Sequence, residues 1–279
     1  MATSKTLQGK RALVTGSDTG IGRGIATEFA REGAAVVLHY PFGPEGAEAA
    51  VKEIRQLGGK ARAFQADFRD IDSVKALGQK AVDFLGGLDV LVNNAGITMN
   101  RPFEKVTVEQ FDTLYQVNVR GQFFLTQSLV SELARDGGGV VINLSSGHAF
   151  GGLREHSVYA GTKGAIVSYT RELSVELCKK GIRVCSLSPG WVRTENQEKV
   201  QGADFDWDEA GRTLPAGFIA SPSDMGRVAV FLASEDARYI YGHTLVADGG
   251  QLAILAATGD FRAPMTVQFG QGYVSGLGQ

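Results

Sequence analysis

Seven short apolar runs, each separated from the next by a stretch of helical periodicity, constrain this chain more than any other feature. The runs fall at 11–16 ("RALVTG"), 34–40 ("AAVVLHY"), 61–67 ("ARAFQAD"), 88–96 ("LDVLVNNAG"), 139–146 ("GVVINLSS"), 182–190 ("IRVCSLSPG") and 243–250 ("HTLVADGG"). Helical patterns lie between them at 21–33, 44–59, 70–87, about 103–135, about 158–180 and 223–234. In the first, Ile21, Ile25, Phe29 and Ala30 share one face and Gly33 marks the stop. The runs are nearly continuous in Val, Ile and Leu rather than alternating with polar residues. That is the pattern of strands covered on both faces, so helices must lie on both sides of a parallel sheet. The expected fold is a single doubly wound α/β domain with a seven-stranded parallel sheet. Two stretches stand outside the alternation: 191–222, read as a loop or a substrate lid, and 251–279, read as a loose C-terminal extension or an arm that packs on a neighbouring subunit.

Composition excludes several classes of function. The 279 residues are 43% hydrophobic, which suits a sizeable core. A formal charge of −2 argues against nucleic acid and against an acidic membrane surface as partners. The two cysteines, Cys178 and Cys185, have no neighbouring ligand pattern, so neither a metal nor a disulfide is expected. The N-terminus lacks the apolar core of a signal peptide and no run reaches membrane-spanning length, which leads to the expectation of a cytoplasmic protein.

Two motifs carry chemistry. "TGSDTGIG" (15–22) sets Gly16, Gly20 and Gly22 between the first strand and the first helix. Glycines there let the backbone close on a pyrophosphate, and the N–H groups at the helix start favour its charge. "YAGTK" (159–163) places Tyr159 four residues before Lys163, on one helix face. The pair is either an exposed i,i+4 contact or a tyrosine prepared to move a proton. A cation beside a phenol stabilises the phenolate, and a free tyrosine with pKa near 10 is otherwise too weak a base.

The spacing of the glycine turn, with "NNAG" (93–96), "VNVRG" (117–121), "NLSS" (143–146), "YAGTK" and "SPGWVRT" (188–194) in that order, resembles the short-chain dehydrogenase/reductase family over about residues 9–250. The resemblance implies a Rossmann-type domain that binds NAD or NADP and moves hydride between nicotinamide and a secondary alcohol or carbonyl. It implies a tetrad of Asn118, Ser146, Tyr159 and Lys163. Tyr159 is the general acid/base, and Ser146 holds the substrate oxygen with Ser145 as its rival. Asn118 supports a water that links Lys163 to solvent. For the cofactor it implies Gly16, Ser17, Asp18, Thr19, Gly20, Ile21 and Gly22 at the turn, and Asp67 and Phe68 near adenine. Asn94, Ala95 and Gly96 would pass beneath the ribose, Pro189, Gly190, Val192 and Thr194 would frame the nicotinamide, and Tyr159 and Lys163 would complete the set. Metal is not expected, and a homotetramer or dimer is.

At the end of the second strand, where NAD enzymes of the family usually carry an aspartate, stands Tyr40. No acid there repels a 2′-phosphate, while Asp18 would oppose one; Ser17, Thr19 and His39 could donate hydrogen bonds. The expectation is use of both cofactors or a lean to NADP. The loop between Ser146 and Tyr159 contributes His148, Arg154 and His156, and Trp191 follows the sixth strand. This polar set suits a hydroxylated or anionic substrate. With "SSGH" and "TLVADGG" it resembles the bacterial glucose 1-dehydrogenase branch, which implies oxidation of an aldose at its anomeric carbon, or of a polyol. The alternatives are a 3-oxoacyl-thioester or other carbonyl reductase, and a dinucleotide-binding regulator without turnover.

Overall fold

An apolar run can bury both of its faces only if helices pack above and below it. A computed structural model of the chain, which describes residues 5–255 and 260–263, meets that requirement with one seven-stranded parallel sheet. The strands are β1 (Arg11–Val14), β2 (Ala35–Tyr40), β3 (Ala61–Gln65), β4 (Val90–Asn93), β5 (Val140–Leu144), β6 (Arg183–Pro189) and β7 (Thr244–Ala247). Their spatial order is β3-β2-β1-β4-β5-β6-β7 and every adjacent pair is parallel. The chain winds outward from β1 in one direction and from β4 in the other. The crevice beyond the C-terminal ends of β1 and β4 is therefore where such a sheet binds ligands.

The helices α1 (Gly20–Arg31), α2 (Glu45–Gln56), α3 (Ile71–Leu85), α4 (Val108–Tyr115), α5 (Gln122–Leu133) and α6 (Ser157–Leu177) follow their strands in turn. Next come α7 (Glu195–Gln201), α8 (Trp207–Arg212) and α9 (Pro222–Ala233). Two buried clusters result, one on each face of the sheet. Ile25, Phe29, Val36, Ile54, Ile142 and Leu232 belong to the first. Leu13, Val37, Leu77, Leu91, Leu125 and Val184 belong to the second. Consecutive strand residues such as Leu13 and Val14 thus serve opposite cores, which is why the runs are apolar without alternation.

The structure departs from the sequence reading in three places. The region 103–135 is not one helix. A 3-10 turn (Phe103–Lys105) precedes α4, and a π-helical turn (Gln116–Gly121) separates α4 from α5. That wide turn carries Asn118 and lets its amide meet the backbone at Ile97. The stretch 191–222 holds two short helices, started by Thr194, which accepts from Gln197 N–H, and Asp206, which accepts from Asp208 and Glu209 N–H. Of the extension 251–279, the described part touches the 191–222 stretch of this chain: the Arg262 guanidinium donates to the Leu214 carbonyl at 2.5 Å. Residues 256–259 and 264–279 of the extension, on which the expectation of an arm to a neighbouring subunit also rests, lie outside the described residues. No helix among the described residues is long and apolar enough to cross a membrane, and no cluster of His, Cys, Asp or Glu among them could hold a metal ion.

Candidate active site

The glycine turn is locked from below. Thr15 Oγ1 accepts from both Asn94 and Ala95 N–H, and the Asn94 amide donates to the Thr15 and Gly16 carbonyls at 2.9 and 2.7 Å. Gly16 has φ of +58°, and a β-carbon on it would lie 2.8 Å from Ala95 Cα. One on Gly22 would lie 2.1 Å from the Gly16 carbonyl oxygen. Gly22→Ala is therefore expected to lower stability by about 1–3 kcal/mol and to weaken dinucleotide binding at least tenfold. Thermal melts and a cofactor titration check this; wild-type affinity in the variant would refute the close approach.

Two residues expected to face the ribose do not. His39 is buried: its Nδ1 accepts from Gly16 N–H at 2.8 Å, and its Nε2 contacts the Ala66 carbonyl at 3.0 Å. Those partners require the proton on Nε2. Burial pulls its pKa down to about 4, so the ring is neutral and has no donor left for a phosphate. The Ser17 hydroxyl donates to the Val14 carbonyl at 2.7 Å and accepts from His39 N–H. It too is committed to the scaffold. Phe68 is buried with its ring 4.8 Å from that of His39, beneath the cradle rather than lining it. Ile21 packs against the core below α1. Thr19 is exposed. The Asp67 carboxylate is held by Arg69 at 2.7 Å, which keeps it below the usual carboxylate range. Tyr40 borders a groove of about 640 Å³ that Lys52, Arg55 and Arg62 also line, cations that a reading confined to the strand end misses.

At the ends of β4 and β5 the tetrad residues converge. Tyr159 and Lys163 lie on α6, with Lys163 Nζ 5.6 Å from the Tyr159 ring centre. Lys163 is buried and donates to the Leu144 carbonyl at 2.8 Å, and burial lowers its pKa to about 8. Burial raises the Tyr159 phenol above its ordinary value, while contact with the Ser146 hydroxyl works in the opposite direction. In the chain alone, desolvation thus outweighs the Ser146 contact, and the phenol lies above its ordinary value rather than below it as the spacing to Lys163 led to expect. Ser145, the rival to Ser146, is buried and donates to the Lys163 carbonyl at 3.0 Å. Asn118 is fully committed: it accepts from Ile97 N–H at 2.8 Å and donates to the Ile97 carbonyl and to Thr162 Oγ1. The β-carbon position at Gly96 lies 3.4 Å from Asn118 Oδ1 and 3.7 Å from Lys163 Nζ, so both groups meet under the same backbone.

Beside His148 opens a cavity of about 400 Å³ lined by Phe103, His148, Phe150, Leu153, Glu155 and His156, among others; it reaches α6 at Ser157 and Ala160, and neither Tyr159 nor Ser146 lines it. The His148 ring stands edge-on to Tyr159, with centres 5.4 Å apart, and 4.8 Å from His156. Its Nδ1 is buried without a hydrogen-bond partner, and burial, then His156, lowers its pKa. Arg154 is exposed and does not line this cavity; only its carbonyl contributes, by holding the His156 Nδ1 at 2.7 Å. Trp191 lines a separate cavity of about 320 Å³ with Leu214, Phe218 and Asp248, and its ring joins those of Phe205 and Trp207. Pro189 ends β6, Gly190 packs against Asp248, and Val192 is buried and bridges to Ala220. Thr194 caps α7 and lies over Gly20.

Sequence reasoning overlooked Glu195. Its Oε2 accepts from Gly20 N–H at 2.8 Å, at the start of α1. An anion of the chain itself therefore sits on the donor that a pyrophosphate would use. With the glycine positions that admit no β-carbon, this shows that the turn fits a phosphate-bearing dinucleotide.

Comparison with known proteins agrees with this geometry. Residues 16–251 match a family model described as enoyl-(acyl carrier protein) reductase. The hydroxynaphthalene reductase-like protein Arp2 of Metarhizium robertsii is 36% identical over 261 residues, covering 90% of this chain and 97% of that protein. A solved structure described as an NAD(P)-dependent gluconate 5-dehydrogenase from Beutenbergia cavernae, with NADP bound, superposes with a TM-score of 0.82 at 36% identity, covering 90% of this chain and all of that one. A 7α-hydroxysteroid dehydrogenase complexed with NADH and 7-oxo glycochenodeoxycholic acid gives a TM-score of 0.82 at 33% identity, covering 90% of this chain and 98% of that one.

Proposed function

The chain belongs to the short-chain dehydrogenase/reductase family and is an NAD(P)-dependent oxidoreductase of CH–OH and carbonyl groups, and from that premise we propose that its substrate is a ring-bearing, multiply hydroxylated molecule, in the first place a sugar or polyol. The observation that carries the reading is the His148–His156 pair, which lines the cavity of about 400 Å³ while the His148 ring packs edge-on against the ring of Tyr159. The polar edges of this pair suit substrate hydroxyls, and the exposed rings of Phe103 and Phe150 suit the face of a ring.

The nicotinamide, when bound, supplies or accepts the hydride. Ser146 orients the substrate oxygen and stabilises charge developing on it. Tyr159 takes the hydroxyl proton in oxidation and returns it in reduction. Lys163, buried and fixed on the Leu144 carbonyl, supplies positive charge beside the phenol, and Asn118 secures the loop at Ile97 beneath which these groups meet.

A second reading has its own support. Phe103 is 81% exposed, and with Phe150 and Leu153 it gives the cavity an apolar rim that a hydroxylated aromatic ketone would cover better than an aldose. The hydroxynaphthalene reductase-like relative is in keeping with that. The lean to NADP draws on the absence of an acid at Tyr40 and on the cations of the adjoining groove. Assembly as a homotetramer through α4, α5 and α6 draws on the exposed Val108, Phe111 and Val175.

The purified protein should reduce NADP, and NAD less efficiently, with at least one member of a panel of aldoses, polyols and cyclic secondary alcohols. Turnover only in the reverse direction, on hydroxylated aromatic ketones, would install the second reading. Turnover only on acetoacetyl thioesters would remove both.

A further inference from the structure

A carboxylate of the chain's own lies on the anion-binding end of the glycine turn, and its surroundings do not neutralise it. Glu195 opens α7, and the hydrogen bond from Gly20 N–H to its Oε2 joins residues 175 positions apart. The nearest cation in sequence, Arg193, is engaged with Glu198 at 2.7 Å. On the other side stands a second acid, Asp18, whose carboxyl is held above the ordinary range by burial and then by the charge of Glu195. What holds Glu195 in place is therefore the start of α1, where free N–H groups favour negative charge. A pyrophosphate would need the same donor.

We propose that Glu195 is a built-in competitor for the dinucleotide pyrophosphate. It sets cofactor affinity and latches the lid to the glycine turn until the cofactor displaces it. The inference rests on reading that turn as the dinucleotide cradle. Glu195 is joined to Trp191 by its own helix, since the Trp191 indole N–H donates to Gln197 Oε1 at 3.4 Å. Release of Glu195 is thereby transmitted to Trp191 and the cavity that it lines. Cofactor entry and lid position become one event, which favours binding of the cofactor before the substrate.

The test uses ADP, which carries the pyrophosphate without the nicotinamide, so that turnover plays no part. Calorimetry gives its affinity for the wild type, Glu195→Gln, Glu195→Ala and, as a control for bulk charge, Asp204→Asn, an exposed acid of the same lid. Both tryptophans of the chain, Trp191 and Trp207, lie in 191–222, so their fluorescence reports the lid directly. ADP should bind about tenfold more tightly to both Glu195 variants, the factor at the low end of the net worth of one charge-assisted hydrogen bond. Asp204→Asn should stay within about twofold of wild type on the same scale. ADP should shift tryptophan emission in the wild type, and the Glu195→Ala protein should already show part of that shift without ADP. Unchanged or weaker affinity in the Glu195 variants, with the wild type binding ADP, would overturn the latch alone. So would an equal gain in Asp204→Asn. Failure of every variant to bind ADP or NADPH, with melts showing folded protein, would overturn the cradle reading and the latch together.

Discussion

Tyr159→Phe is expected to lower kcat about a thousandfold or more, near the upper part of the range for loss of a general acid/base, with ADP and NADPH affinity within about twofold of wild type. The expectation follows from what surrounds the phenol. Apart from His148, no other group near the substrate oxygen among the described residues is free to move its proton. Lys163 is committed to the Leu144 carbonyl, Asn118 to Ile97 and Thr162, and Ser145 to the Lys163 carbonyl. Ser146 can orient an oxygen but has no base of its own among its contacts. His148 is near, but it meets the Tyr159 ring edge-on and its pKa is lowered, so as a neutral ring it is a poor proton donor above neutrality. The substitution keeps the ring that packs against His148, so the cavity should hold its shape. Steady-state kinetics beside a cofactor titration separates the two effects. Retention of more than about a tenth of the activity would remove Tyr159 from the acid/base role and would make His148 the residue to replace next. The magnitude is set by the proton transfer itself rather than by folding, which melts on the same samples would show.

The sheet and the Tyr159–Lys163 pair were legible because their signals are local. A strand between two cores needs apolar residues at most positions, so Val90–Asn93 and Val140–Leu144 stand out without any knowledge of their partners, and the two asparagines that interrupt them, Asn93 and Asn143, are hydrogen-bonded to each other. Tyr159 and Lys163 are one helical turn apart, and a helix brings them together whatever the rest of the chain does. The misses share the opposite property. His39 and Ser17 satisfy backbone groups at Gly16, Val14 and Ala66, and nothing in a sequence distinguishes a polar side chain bound to its own scaffold from one aimed at a ligand. Arg154 looked like a ligand of the substrate because its loop is near the site, yet the loop turns it outward. Glu195 reads as one acid among others in the polar stretch 191–222, since its partner, Gly20, lies 175 positions away in sequence. The π-helical turn at Gln116–Gly121 keeps helical spacing closely enough to pass for continuous helix.

His39 should make the fold acid-labile by about 3 kcal/mol between pH 6.5 and 4. Its folded-state pKa of about 4 lies below the 6.5 of an exposed histidine. Between those values the unfolded chain takes up a proton that the folded chain refuses. The stability that the neutral ring contributes is therefore complete above pH 6.5 and is lost as pH falls toward 4. The refusal has a structural cause, since Nδ1 must keep its lone pair for Gly16 N–H while the ring lies buried against Phe68. Protonation would set two donors face to face at the base of the cradle. Glutamine offers an acceptor and a donor at similar reach but no proton to gain, so His39→Gln should flatten the acid limb of the stability curve. Leucine leaves the Gly16 N–H unpaired, which costs about 1–3 kcal/mol at every pH, and it should also weaken dinucleotide binding by loosening the turn. Urea unfolding at pH 7 and pH 4.5, at one protein concentration, measures the difference. A wild-type slope in His39→Gln would mean that other groups carry the acid transition. A flat line would show that the residue placed among the ribose contacts acts instead as the acid-sensitive pin of the cofactor cradle.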